Sequence, residues 1–140
     1  MTSILEDKEA IRDLLSAYCF HVDDGEYDEW AALFAEDATL EAGALATCQG
    51  RAEIKAFIVA AVGGDVPARK HCTMNAMIQV NGDKATANSY IIVVRADDKG
   101  GIVNSLAGRY QDELVRQGGD WKFQKRIICM DILGDLGLND

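Results

Sequence analysis

Four polar side chains of this 140-residue chain stand where proton chemistry could be done: Tyr18, Asp23, His71 and Arg126. His71 lies in RKHCTMNAMIQV, a run of period two. Strict alternation puts it with Thr73, Asn75, Met77 and Gln79, opposite Cys72, Met74, Ala76, Ile78 and Val80. Its ring can serve a site if that polar row lines a cavity, or if a bulge between His71 and Ile78 turns it inward. Histidine is the side chain whose ordinary pKa lies nearest neutrality, so it is the natural general base. Asp23 breaks a local rule, because a helix C-terminus, with its partial negative charge, prefers a cation. Such breaks concentrate at functional sites. A carboxylate there can hold an imidazole's tautomer and balance its charge after proton uptake. His21, near the same helix end, suits the dipole and reads as structural. Tyr18 falls on a buried stripe with a hydroxyl that needs a partner. Arg126, in WKFQKRIICM, stands in a stretch that turns apolar at Ile128 and Met130, where an Arg pairs with a carboxylate or an anionic group. Asn88 and Tyr90 share a strand face and could orient a ligand.

These residues need elements to carry them. Ile11, Leu14, Leu15, Tyr18 and Val22 form the i, i+3, i+4, i+7 stripe of a helix buried along one face. Ser3-Ile4-Leu5-Glu6 fits a capping box at its start, and Gly25 stops it. Tyr27 to Phe34 reads as a second, shorter helix, which Asp24 can cap. Ala38 to Ala42 and Ala44 to Cys48 read as short strands. A third helix spans Ala52 to Val62, ended by Gly63-Gly64, and Pro67 keeps the next stretch out of helix. From Arg69 the period becomes two. Strands are expected over residues 69–80, 84–95, 102–116 and 121–132, the first two joined by a tight turn at Asn81-Gly82. Helices first and hairpin-joined strands after make an α+β fold, a long N-terminal helix and two shorter ones against an antiparallel sheet. Residues 134–140 read as loose. Small residues in strand interiors (Ala85, Ala87, Ser105, Ala107, Gly108) leave room for a ligand or for close packing.

The totals narrow the function. One domain over residues 1–140 is the natural reading at this length. A net charge of −9 argues against nucleic acid and anionic membrane as partners. No run of ~20 apolar residues is present to span a membrane. The amino end lacks the pattern of a signal peptide, so a cytoplasmic protein is expected. Four scattered cysteines read as reduced thiols, and two histidines without HExxH or CxxC spacing speak against a metal site. There is no GxSxG and no Gly-rich phosphate loop, so no cofactor is expected.

The layout resembles the SnoaL-like branch of the nuclear transport factor two-like superfamily. The segments that carry the resemblance are AIRDLLSAYCFHVDDGEYDEWAALFAEDATLE, GRAEIKAF, KHCTMN, NGDKATANSY and DWKFQKR, over about residues 5–132. It implies a cone: a strongly curved sheet enclosing one pocket closed by the long helix, and a homodimer made through the sheets. It also implies kinship with small cofactor-free lyases such as hexachlorocyclohexane dehydrochlorinase, bile acid dehydratase and scytalone dehydratase, with ketosteroid isomerase more distant. In the first two an Asp near the end of the first helix pairs with a His on the first long strand, and an Arg stands on the last strand. Those roles fall on Asp23, His71 and Arg126, and Tyr18 matches the tyrosine of the bile acid enzyme. The extra acid which that enzyme carries on a middle strand has no match here.

The expected activity is therefore that of a lyase or isomerase acting on a hydrophobic cyclic molecule. His71 takes a proton from carbon, Asp23 holds it, Tyr18 donates to an oxygen and Arg126 stabilises negative charge. Pocket walls are expected from Leu14, Phe34, Phe57, Ile58, Ile92, Val94 and Ile128, with Asn88 and Tyr90 as polar groups. Two other readings share the cone: a binding protein without catalysis, and a scaffold subunit like those of ring-hydroxylating dioxygenases.

Overall fold

A computed structural model of the protein describes residues 1–64 and 66–139. The chain opens with α1 (Ile4–Asp23), and its capping box is complete: Glu6 N–H donates to the Ser3 hydroxyl, and Ser3 N–H donates to the Glu6 carboxylate. Its far end is fixed as firmly. Gly25, at φ +74°, lets Gly25 N–H reach Val22 O and Glu26 N–H reach His21 O, the paired bonds of a Schellman stop. Asp23 is thereby held on the last helical turn. α2 (Tyr27–Ala31) is shorter than expected, and Glu26 rather than Asp24 occupies its N-cap, with no side-chain capping bond. Phe34, expected at the end of that helix, begins β1 (Phe34–Glu41) instead. β2 (Thr47–Gln49) and α3 (Arg51–Val62) follow. Four long strands complete the chain: β3 (Arg69–Asn81), β4 (Lys84–Ala96), β5 (Ile102–Gln117) and β6 (Asp120–Leu133).

The strands form one open sheet in the order β2-β1-β6-β5-β4-β3. It is mixed, because β1 runs parallel to β6 while every other neighbour is antiparallel. α1 packs on β3 and α3 on β1, so both helices lie against the same concave side. Between them an aromatic cluster fills the core. Tyr18, Trp30, Phe34, Tyr110 and Phe123 meet at centroid separations of 5.1 to 6.2 Å, mostly tilted or edge-on, as ring quadrupoles prefer.

Two bulges set which side chains face that core. On β3, Met74 pairs with Tyr90 but Met77 with Asn88, so three steps on one strand match two on the other. Asn75 takes up the extra residue at φ 57°, a left-handed conformation that asparagine tolerates better than most. Before it Arg69, His71 and Thr73 turn inward; after it Ala76, Ile78 and Val80 do. On β5, Val93 pairs with Leu106 and Val94 with Asn104, which leaves Ser105 as the extra residue, and Ser105 and Leu106 are both buried. Gly108 serves close packing, since a Cβ there would lie 2.0 Å from Cys129 O on β6.

The tail departs from expectation. Residues 134–139 form no helix or strand, yet they are tied across the open end of the cone. The Asn139 side chain donates to Ala60 O and Gly63 O, its N–H donates to Ala61 O, and Leu136 and Leu138 point into the interior. Asp140 lies outside the described residues. All four cysteines are free thiols, and no described helix is long and apolar enough to cross a membrane.

Candidate active site

Asp23 and His71 are in direct contact. Asp23 Oδ1 lies 2.6 Å from His71 Nδ1, and Asp23 Oδ2 accepts from the His71 backbone N–H at 2.9 Å. The carboxylate thus grips ring and backbone together, which fixes both position and tilt of the imidazole. Both side chains are mostly enclosed, at 6% and 14% exposure, so water competes little for this bond. With Asp23 ionised, Nδ1 carries the proton and Nε2 keeps a free lone pair. The bulge at Asn75 makes this possible: α1 lies over the near half of β3, and only a change of phase lets His71 and Ile78 both face in.

His71 borders a cavity of about 90 Å³. Phe57, Ile58 and Ile128 line it as expected, with Tyr18 and, from the tail, Leu136 and Leu138. The other expected wall residues lie elsewhere. Leu14 and Phe34 are buried in the core, away from the void. Asn88, Tyr90, Ile92 and Val94 alternate onto the outer face of β4, because the inner face belongs to Ala87, Ser89, Ile91 and Val93. The stretch Tyr90 to Val94 is apolar on both faces, so composition could not choose between them.

Arg126 also departs from its expected place. It is wholly buried and does not border the cavity. Its Nε and Nη2 donate to the two carboxylate oxygens of Asp112 at 2.8 and 3.0 Å, a bidentate pair. The guanidinium lies over the rings of Tyr110, Tyr18 and Phe123, at 3.5, 4.2 and 4.4 Å from their centroids. Burial alone would push Arg126 down; the attraction and hydrogen bonds of Asp112, with the nearby phenols, more than offset that and hold it above its ordinary value. Arg126 therefore fixes Tyr18 from behind rather than meeting a ligand. His21 bonds Glu26 at 3.0 Å and takes no part in the cavity.

Burial lifts the Tyr18 hydroxyl above its ordinary value of 10.0 against the pull of Arg126, and lifts Tyr110 well above it. Tyr18 thus stays a neutral donor throughout the physiological range. A stability effect follows at high pH. Above pH 10.0 the unfolded chain releases phenol protons that the folded chain retains, so stability falls as pH rises past that value, and these groups leave it unchanged below. Urea midpoints from pH 8 to 11 should show this fall. It should shrink in a Tyr18→Phe/Tyr110→Phe variant, and an alkaline limb as steep as wild type in that variant would count against it.

Among the cavity residues that the sequence reading did not assign are Arg69 and Ser105. Arg69, noted in the sequence only as the start of the first long strand, is buried and borders the void. Its one signal was its place two residues before His71, on the same face. Ser105 was noticed only for its small size; the β5 bulge that turns it inward left no mark in the sequence.

The SnoaL-like domain model matches residues 3–127. Rv2910c of Mycobacterium tuberculosis, an uncharacterised protein, is 30% identical over 135 residues, spanning 91% of this chain and 88% of its own. A solved structure from Novosphingobium aromaticivorans, described as a candidate scytalone dehydratase, is 26% identical with a TM-score of 0.83, covering 96% of this chain and 93% of that one. An NTF2-like protein of cystatin-like fold from the same organism is 26% identical with a TM-score of 0.86, covering 96% and 88%. The same fold occurs in the beta subunit of a candidate aromatic-ring-hydroxylating dioxygenase from Novosphingobium aromaticivorans, 23% identical with a TM-score of 0.84. The long helix, the open mixed sheet and the match over nearly the whole length agree, and the chain belongs to the SnoaL-like family.

Proposed function

We propose that this protein is a cofactor-independent lyase or isomerase of the dehydratase kind, in which a His71–Asp23 dyad removes a proton from carbon. The observation that carries the reading is the doubly bonded Asp23 carboxylate on His71, beside a void walled mostly by carbon. His71 Nε2 accepts the proton, and Asp23 balances the imidazolium that results. The electron pair left on carbon forms the new double bond as the leaving group departs, or moves toward an adjacent carbonyl in an isomerisation. Tyr18 donates its phenol proton in a hydrogen bond to the oxygen that gains charge. Arg126 is a positioning residue that acts through the Tyr18 ring.

The cavity sets the scale of the substrate. About 90 Å³ is less than the roughly 150 Å³ that accommodates benzene in an engineered cavity, so a cyclic substrate requires Leu136 and Leu138 to move aside. A hydrophobic ring bearing one oxygen or halogen matches the walls. The test is a screen of small cyclic ketones, alcohols and haloalkanes for elimination, or for solvent-deuterium uptake at carbon, followed by the His71 and Asp23 substitutions discussed below. The absence of any exchange or elimination across such a panel would count against the reading.

The partner we propose is a second copy of this chain, packed sheet to sheet in the cytoplasm. The outer face presents Met74, Met77 and Tyr90, with Met77 73% and Tyr90 54% exposed, apolar side chains that such a pairing would bury. Wild type should sediment as a dimer and Met77→Glu/Tyr90→Glu as a folded monomer. A monomeric wild type would exclude the pairing.

A further inference from the structure

A guanidinium taken out of water needs a carboxylate or a full set of acceptors, since an uncompensated buried cation is heavily penalised. Most buried or half-buried arginines here meet that need: Arg126 with Asp112, Arg116 with Asp7 and Asp83, Arg95 with Asp135. Arg69 does not. It is 9% exposed, and among the described residues it forms no ion pair. Nη1 and Nη2 donate to Leu136 O and Gly137 O at 3.3 and 3.1 Å, while Nε is buried with no partner among the described residues. Burial and the neighbouring Arg95 push Arg69 below its ordinary pKa, with Asp23 and Tyr27 pulling the other way.

Ser105 has the same deficit. It is 1% exposed, and its Oγ is buried without a partner. As the extra residue of the β5 bulge it is turned inward beside Leu106, where an apolar side chain would have left nothing unpaired. Both residues border the cavity that holds the His71 ring, among Ala42, Phe57, Ile58 and Val93. Two unused donors in a void otherwise lined mostly by carbon call for an acceptor from outside the chain.

We propose that Arg69 and Ser105 form the oxygen-binding pole of this cavity, receiving a substrate oxygen that is anionic, as in a carboxylate, or becomes so, as in an enolisable carbonyl. The part played by developing charge rests on the proton abstraction proposed above. When His71 Nε2 takes the proton from the carbon beside a carbonyl, the C–H pair becomes the C=C bond. The carbonyl π pair then moves onto oxygen, where the Arg69 Nε–H and the Ser105 O–H meet it. A carboxylate would be held by the same two donors without any change of charge. The role first assigned to Arg126, on the interior strand β6, thus passes to a residue on the edge strand β3, which carries His71.

The cavity of about 90 Å³, where a water occupies roughly 30 Å³, fits a compact ligand, so butyrate and butanone are suitable probes. Arginine Nε–H groups give resolved signals in nitrogen-proton correlation spectra, and Arg69→Lys assigns the one that disappears. The expected result is a saturable shift of the Arg69 Nε–H signal across the millimolar range. Butyrate alone would identify a carboxylate ligand and butanone alone a carbonyl ligand; a response to either or both supports the pole. Arg69→Gln should weaken binding about 10- to 100-fold and Ser105→Ala about 2- to 10-fold. Arg69 also ties down the tail, so Ser105→Ala, which removes one oxygen atom, keeps the test decisive if Arg69→Gln does not fold. An Arg69 signal unmoved by both probes, or binding unchanged in Ser105→Ala, would overturn the proposal. His71→Ala separates it from the catalytic reading. Probe binding that persists there, with turnover also unaffected, defeats the proton abstraction and leaves the pole standing; probe binding absent throughout, with turnover lost in His71→Ala, defeats the pole alone.

Discussion

Alanine in place of His71 is expected to lower turnover by at least ~100-fold, the usual scale of general-base catalysis, with the fold intact. The fold should survive because Asp23 keeps its bond from the residue-71 backbone N–H, and the ring makes no other hydrogen bond among the described residues. Asp23→Asn should cost as much for a different reason. The residue-71 N–H requires an acceptor, so the Asn amide must turn its oxygen toward the backbone and its NH2 toward Nδ1. Nδ1 then accepts, the ring proton moves to Nε2, and the nitrogen that should take the substrate proton is already occupied. Ring nitrogen shifts of His71 would report the tautomer, and kcat on a substrate from the screen would report the consequence. Wild-type turnover in both variants would end the lyase reading.

The largest stability effect is expected at Asp112. Removing its carboxylate by Asp112→Ala leaves Arg126 wholly buried and unpaired, and breaking one side of such a pair costs about 3–5 kcal/mol. Urea unfolding should show it directly. Replacing both partners, as Asp112→Leu with Arg126→Met, should restore most of the loss, since an apolar pair of similar volume carries no desolvation penalty. The double variant should still lose activity, because the Tyr18 ring then lacks the cation that lies over it. Equal stability of wild type and Asp112→Ala would show that the pair is not holding the core.

Much of this architecture was legible from local chemistry. The capping box, the glycine stop of α1 and the four long strands follow from side-chain types and periods that tertiary contacts did not need to override. Tyr27–Phe34 was misread because a run of Trp, Ala, Leu and Phe suits a short helix and a buried strand equally well. Asp23 could be singled out as a broken rule, but its pairing with His71 came from family resemblance, since strict alternation leaves the inward turn of His71 undecided. Asp112 was invisible: an acid in YQDEL reads as a solvated strand face until the Arg opposite it is known to be buried. Arg69 was missed for the same reason, with less excuse, because it shares a face with His71. The tail was read as loose for want of periodicity, although its alternating leucines at 136 and 138 were a signal of one buried side.

The left-handed Asn75 divides β3 into two lengths that answer to different demands. Upstream, the strand carries the imidazole that Asp23 grips; downstream, Ile78 serves cohesion. Were the bulge lost with the strand at its full length, as a β-branched residue at position 75 would favour, a single pleat could keep Ile78 inside only by turning the imidazole toward bulk water. Inactivating lesions in this protein need not touch any reactive group, and a survey confined to the cavity wall would overlook them.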